Sequence, residues 1–516
     1  MTKTSDFRGS FEVRGSVLAR NAIYNLIGLG VPLLIAVVTI PVIIKYIGKE
    51  RFGILSLAWA IFGYLSVFDI GLVQATTKYV AESLGKGERH QVPKYLWTTV
   101  IFQSFLGSVG ALALILATPM LVERILNIPP ALRGEAQTVF ILIALSLPIA
   151  LISGSFRGTL EAGQRFDLVN AVKIPSGAAS NLLPLIGAVL GFSLPGIVLL
   201  ILCSRVFTLL AWSIMSFKIY PEIRGRISWH RETAHPLLKF GSWITISSFI
   251  NPLLTYLDRF MIGALLTVTA VSYYTAPYEM TVRLGILPGS LLMLLFPAFS
   301  ALQGKQDENR IRSLFGTSFK FILMIIGPIV IIIIIFARFI LGLWLGKDFA
   351  QNSSAVLQIL AAGYLFNALA NIAIGFLLGR GRSDIPAKFH MIEVAFYIPL
   401  LWILIKNLGI QGAALAWAIR VSIDMALLYS AAHRVGGNSF PNLYHFNIIP
   451  AVGILSGFAA ACFLVQSFTS GVWAVLPILL ALMAAAWFWV LAAEERTWIM
   501  AKARAIIACR IDNRKN

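Results

Sequence analysis

"TYLDRFMIGALL", residues 255–266, sets an acid and a base side by side, Asp258 and Arg259, inside an almost unbroken apolar run. Leu253, Leu254, Leu257, Phe260 and Met261 make the run hydrophobic. Thr245, Ser248, Asn251, Thr255 and then Asp258 or Arg259 recur at steps of three and four, which is the spacing of one helix face. A charge facing lipid is costly, so such a stripe turns toward a hydrated cavity or a partner helix. As neighbours in sequence on a helix, Asp258 and Arg259 diverge and cannot neutralise each other well. At least one of them is expected to face a cavity or to bond a neighbouring helix.

The remainder of the chain repeats this pattern. Its 516 residues are 58% hydrophobic and 13% charged, with a mean hydropathy of +0.82, beyond what a soluble core requires. A helix needs about 20 mostly apolar residues to span the hydrocarbon layer. Runs of that size cover 21–47, 52–83, 94–121, 136–157, 167–191, 195–219, 238–266, 268–301, 316–345, 354–379, 386–407, 411–433, 447–467 and 472–493. Alternating segments of barrel length are absent, so the expected class is all-α, a polytopic membrane protein of about 14 transmembrane helices.

The formal net charge is +19, but the basic residues gather in alternate loops. That is the positive-inside bias of a membrane protein, not the footprint of a nucleic-acid binder. Residues 1–20 are polar and basic, and the first apolar run is long enough to remain as an anchor. Both termini are therefore expected in the cytoplasm. Cys203 and Cys462 fall in spans and Cys509 in the tail, so neither a disulfide framework nor metal-ligand spacing is present.

An internal repeat organises the spans. The stretch from "LEAGQRFDLVN" (160–170) to Gly196 matches "LGRGRSDIPAK" (378–388) to Gly412, with Gly163 on Gly381 and Gly191 on Gly409. Arg205 and Arg420 follow at similar distances. A repeat of six spans, a basic linker and six more is a transporter plan, with two lobes around a central cavity near the midplane. The expected division is an N-tail at 1–20, an N-lobe at 21–219, a cytoplasmic linker at 220–237 and a C-lobe at 238–433. Two further helices follow at 447–493, then a basic tail at 494–516, whose Trp498, Ile499, Lys502 and Arg504 suit either the anionic inner leaflet or solvent.

Several other spans carry polar stripes. The fifth has Asn170, Lys173, Ser176 and Ser180, the sixth a lone Arg205, the eighth Thr275, Glu279 and Arg283, and the second Asp69 just before Gly71. Glu279 with Arg283, and Arg420 with Asp424, are spaced to neutralise each other as i, i+4 pairs; Arg157, Glu161 and Arg165 form a similar ladder at a helix end. Lys173, Arg205 and Arg259 have no partner at helical spacing, which leaves a ligand-facing role or an interhelical ion pair. Asp69 suits coupling, ligand binding or a helix–helix hydrogen bond. Well inside the spans the basic candidates are accompanied by the acids Asp69, Asp258, Glu279, Glu393 and Asp424, so a strongly cationic cavity does not follow from the charges alone.

Catalysis has little to stand on. The outer connections, such as "GFSLPG" (191–196) and "QSFTSG" (466–471), are short and chargeless, and no Walker P-loop is present. No catalytic residue, metal site or cofactor is expected. Three stretches complete the reading: "YLDRFMIGALL" (256–266), "PVIIKYIGKERFGILSLAWAIFGYLSVFDIGL" (41–72) and "FLLGRGRSDIPAKF" (376–389). They resemble the polysaccharide flippases, the oligosaccharide-lipid transporters of the superfamily that also holds multidrug and toxin extrusion antiporters and the lipid II flippase. The resemblance covers roughly residues 15–493.

It implies two six-helix lobes plus two C-terminal helices, and movement of an undecaprenyl-diphosphate-linked oligosaccharide from the inner to the outer leaflet of a bacterial cytoplasmic membrane. The implied partners are that lipid-linked oligosaccharide, membrane lipid and other polysaccharide-assembly proteins, with no nucleic acid. A diphosphate and an acidic glycan suit cationic side chains in a hydrated path, for which Lys173, Arg205, Arg259 and Arg283 are the candidates. Asp69, Asp258 and Glu279 are candidates for coupling or for orienting those cations. The alternatives are a drug or cation antiporter, which calls for acids and aromatics in its cavity, and a membrane enzyme of glycan assembly.

Overall fold

The computed structural model describes residues 35, 38–65, 69, 71–225, 227, 231–304, 307–437, 447–466, 471–491, 496–497 and 500, with some side chains excepted. The expected N-tail, most of the first span and nearly all of the basic tail lie outside the described residues. So do Cys509 and the side chains of Thr245, Ser248 and Asn251. All regular structure among the described residues is helical, and every expected span contains helix. Among the described residues, seven helices are individually long and apolar enough to cross a membrane.

The helices are α1 (Val38–Ile47), α2 (Lys49–Leu65), α3 (Leu72–Gly85), α4 (Val92–Met120), α5 (Arg133–Ala162), α6 (Phe166–Val189), α7 (Leu194–Ile219), α8 (Arg231–Leu265), α9 (Val268–Val282), α10 (Ile286–Gly304), α11 (Glu308–Leu345), α12 (Lys347–Asn352), α13 (Ser354–Gly379), α14 (Asp384–Gly436), α15 (Ile448–Gln466) and α16 (Gly471–Ala485). The second span is split between α2 and α3 just before Gly71, whose φ is 64°. The eighth is split at a 3-10 turn, Arg283–Gly285. Spans eleven and twelve run through α14 and fold back at Gly409 (φ 60°). Prolines 148, 175 and 184 sit inside α5 and α6, as neighbouring helices in a bilayer permit. Large apolar side chains point outward, among them Leu116 and Phe207, each more than two-thirds exposed, as lipid contact requires.

The chain forms two compact units, Met1–Ser272 and Tyr273–Asn516. The sequence puts the second lobe's start at 238, whereas α8 packs with the first unit against α2, α3 and α4. The reason lies in its C-terminal half: Gly263 lies against Leu57 and Leu126, and the Asn127 amide donates to the carbonyls of Ala264 and Leu266 at 2.9 and 2.8 Å. The expected linker carries local structure. Pro221–Arg224 forms a 3-10 turn, Ile223 and Tyr220 are buried, and the Trp97 indole donates to the Ile223 carbonyl at 3.0 Å. A buried indole N–H needs an acceptor, and Ile223 supplies it in the cluster with Phe156 and Trp212.

A close approach fixes the N-terminal end of α2. A Cβ on Gly53 would lie 1.9 Å from the Val268 carbonyl oxygen, and backbone cannot swing aside as a side chain can. Gly53→Ala should destabilise the protein by about 1–3 kcal/mol, as overpacking does, read as earlier thermal unfolding in detergent.

In the second unit, Phe376 packs edge-to-face on Phe299 and Phe315, and Phe315 on Tyr429, with centroids 5.6–5.7 Å apart. The C-terminal helices dock on α11: Gly327 admits Leu455, and the buried Lys320 ammonium donates to the Val490 carbonyl at 3.4 Å. The Asn447 amide reaches the same oxygen at 3.2 Å, satisfying a carbonyl that the end of the π turn Ala486–Val490 leaves open.

The internal repeat is visible in the backbone. Gly191 and Gly409 both take positive φ, 76° and 60°. At the other end the register shifts by one residue. Gln164 (φ 56°), not Gly163, corresponds to Gly381 (φ 73°), because each is followed by the same clamp. Arg165 grips Asp167 at 2.9 and 2.7 Å, and Arg382 grips Asp384 at 2.9 and 3.3 Å. The expected ladder is corrected accordingly: Arg157 pairs with Glu161 at 3.5 Å, and Arg165 turns to Asp167.

Candidate functional site

The first unit holds five of the basic and acidic candidates. Asp69, at the break before α3, accepts the Gln103 amide at 2.6 Å and the Val73 backbone N–H at 3.4 Å. Gln103 in turn accepts from the Ser155 hydroxyl, so one carboxylate ties the start of α3 to α4 and α5. Of the roles open to Asp69, this geometry displays the helix–helix hydrogen bond. Sequence reasoning missed Gln103 and Ser155; the signal is that a fully buried amide in an apolar span needs partners. Asp69→Asn preserves an oxygen acceptor and should fold normally. Asp69→Leu strands the Gln103 amide and should cost about 1–3 kcal/mol in detergent unfolding.

Arg205, midway along α7, lays its guanidinium over the Phe62 ring, 3.2 Å from the centroid, with Nη1 3.5 Å from the Ser146 hydroxyl. Among the described residues no carboxylate pairs with it. Its neighbour helix α6 carries Lys173, whose side chain is exposed and likewise has no acidic partner among the described residues. Ser176 and Ser180 lie on the same stretch of α6 and return their hydroxyls to backbone carbonyls. The two cations thus lie on packed helices, and the contacts of Arg205 are with a ring and a hydroxyl.

The Asp258 and Arg259 pair of α8 lies deeper. Asp258 and Arg259 are buried, 1% and 3% exposed. Asp258 accepts the Arg259 backbone N–H at 2.7 Å, and the guanidinium lies 5.4 Å from the Tyr256 ring centroid. Tyr256 itself packs on Gly63 of α2. In this conformation both residues are held inside the first unit.

The second unit holds the remaining candidates and a cluster that the sequence reading had not assembled. Arg283 and Glu279 form the expected i, i+4 pair at 2.9 Å. Arg420, however, does not turn to Asp424 at i+4: its Nη1 meets Glu393 at 3.2 Å across the hairpin of α14. His390 Nε2 lies 3.9 Å from Asp424. Glu393, Arg420 and Asp424 are all under 10% exposed. The clue was in the numbering, because Glu393 and Asp424 stand at nearly equal distances on either side of Gly409, where a hairpin must bring them together.

Ligand atoms of His390, Glu393 and Asp424 lie within 4.8 Å of one another, a donor set able to hold a cation. Arg420 already places a guanidinium on Glu393, which weakens the case for a resident divalent metal.

The comparisons agree with this architecture. A family model described as "Polysaccharide biosynthesis protein" matches residues 18–303, and a MatE model matches 244–403. The "Putative O-antigen transporter" of Shigella flexneri is 28% identical over 80% of this chain and 96% of its own. The "Lipopolysaccharide biosynthesis protein WzxC" of Escherichia coli is 22% identical over 81% of this chain and 80% of its own. Among solved structures, the lipid II flippase MurJ in an inward closed conformation superposes with a TM-score of 0.69 at 14% identity, covering 91% of this chain and 98% of that one. An inward-facing multidrug resistance MATE transporter gives 0.70 at 15%, covering 81% and 98%. With more than half of its length matched by the family model, this multi-pass helical membrane protein belongs to the polysaccharide biosynthesis protein family.

Proposed function

We propose that this chain is a flippase that carries an undecaprenyl-diphosphate-linked oligosaccharide from the inner to the outer leaflet of a bacterial cytoplasmic membrane, both termini facing the cytoplasm. The observation that carries the reading is Arg205. A guanidinium within a membrane span, stacked on Phe62 and without a carboxylate among the described residues, is a binding site for an anion. Lys173 on the adjoining helix adds a second charge. The names of the relatives support the substrate class, and the fold shared with MurJ supports movement of a lipid.

In this reading Arg205 and Lys173 take the diphosphate or an acidic sugar. Arg283, held by Glu279, and Arg259, buried beside Asp258, join only when their helices rearrange during alternating access. Asp69 keeps the α3–α5 contacts in place, and no bond is made or broken.

The test is reconstitution of purified protein in vesicles carrying a lipid-linked oligosaccharide on one leaflet. The expected result is a change of leaflet with the covalent structure intact; polymerised or transferred glycan would move the protein to the enzymes. A second reading, cation or drug antiport, has the acid cluster Glu393–Asp424 in its favour. Expulsion of cationic dyes without movement of lipid-linked sugar would select it.

A further inference from the structure

Beside the clamp that begins α14, the two arms of that hairpin leave a cavity of about 610 Å³, a volume typical of small-ligand sites. Among its described lining residues, Arg382, Lys388 and Arg434 supply positive charge, Asp384 the one carboxylate, and Phe389 and Leu427 part of the apolar wall. Asp384 bridges two of the cations, accepting from Arg382 at 2.9 Å and Lys388 at 3.1 Å. Those contacts hold its carboxyl well below the usual range, so it stays ionised and fixes both cations while leaving them spare donors.

Arg434 approaches from the far end of the hairpin and has no acidic partner among the described residues. The site therefore carries a net excess of two positive charges over an apolar wall. The first repeat has the same Arg165–Asp167 clamp but Ala171 in place of Lys388, so the extra charge belongs to the second half alone.

We infer that this groove is a binding site for the headgroup of an anionic glycerophospholipid, with the phosphate between Lys388 and Arg434 and the acyl chains running down past Phe389 and Leu427. Charge complementarity and the apolar wall argue for a lipid over a free anion, because a soluble phosphate gains nothing from Phe389 and Leu427. On the orientation proposed above, this end of spans eleven and twelve meets the inner leaflet, where anionic lipids attract basic side chains. The binding itself is independent of which lipid-linked sugar the protein transports.

The experiment is native mass spectrometry of the full-length protein, delipidated in detergent and titrated separately with phosphatidylglycerol and phosphatidylcholine. Wild type should bind the first phosphatidylglycerol in clear preference. Each of Lys388→Gln and Arg434→Gln should weaken that binding about fivefold, and the pair about 25-fold, from the usual contribution of one basic residue at an anionic surface. Lys347→Gln, far from the groove in sequence, should change nothing, and Arg434→Lys should retain most of the affinity.

Equal affinity for the two lipids, or a double variant within about twofold of wild type, would overturn the proposal. Displacement of phosphatidylglycerol by inorganic diphosphate at equal concentration would make it a free-anion site. Preferential displacement by a lipid-linked diphosphate sugar, lost in the double variant, would make it a loading point for transported substrate. Were the double variant to misfold, the wild-type headgroup preference and its loss at high salt would still decide the matter.

Discussion

Arg205→Ala should reduce transport of lipid-linked oligosaccharide about 10- to 100-fold at matched protein abundance, the equivalent of losing one or two hydrogen bonds to a charged ligand. Arg205→Lys should retain part of the activity. It keeps the charge but loses both the planar fork that grips two phosphate oxygens and much of the stacking on Phe62. Phe62→Leu should reproduce a smaller fraction of the defect, because the ring orients the guanidinium and contributes about 1–2 kcal/mol of cation–π attraction when desolvated. Full transport by Arg205→Ala at normal abundance would remove Arg205 from the path and leave it a packing residue between α2, α5 and α7.

The largest effect on stability is expected in α14. Arg420→Met leaves Glu393 buried without its cation, and breaking a buried pair from one side costs about 3–5 kcal/mol. The double variant Arg420→Met with Glu393→Gln should recover most of that loss, since it removes the stranded charge along with its partner. Unfolding in detergent, followed by tryptophan fluorescence, measures both. A single variant as stable as wild type would show that Glu393 is protonated or otherwise compensated. Transport by the double variant is a separate readout: normal folding with no transport would give the cluster a functional task in addition to its structural one.

The pairings among the candidate residues were legible in the sequence only unevenly. The i, i+4 pair Glu279–Arg283 needed only helical spacing, and it forms at 2.9 Å. Arg420 and Asp424 have the same spacing and do not pair, because Glu393 on the returning arm offers Arg420 a closer acid in a buried setting. Local spacing lists possible partners, and the hairpin chooses among them. Asp69 shows the same limit: the sequence marks it as a costly intramembrane acid, but its partner Gln103 is far along the chain and carries no charge to advertise itself.

The sequence by itself determined that this protein is helical and crosses a membrane many times, because length and apolarity of a run are local properties that the bilayer reads directly. It also determined the repeat, since Gly191 and Gly409 must relax the backbone at equivalent turns and both do so. Only the tertiary structure decided which charges meet. It shifted the repeat by one residue through the paired Arg–Asp clamps, and it drew α8 and the expected linker into the first unit through Gly263, Asn127 and Trp97. It also buried Asp258 and Arg259 while leaving Arg205 on an aromatic ring. The physical reason is that desolvation and hydrogen bonding depend on what packs against a side chain from other helices, and those contacts lie tens to hundreds of residues away in the chain.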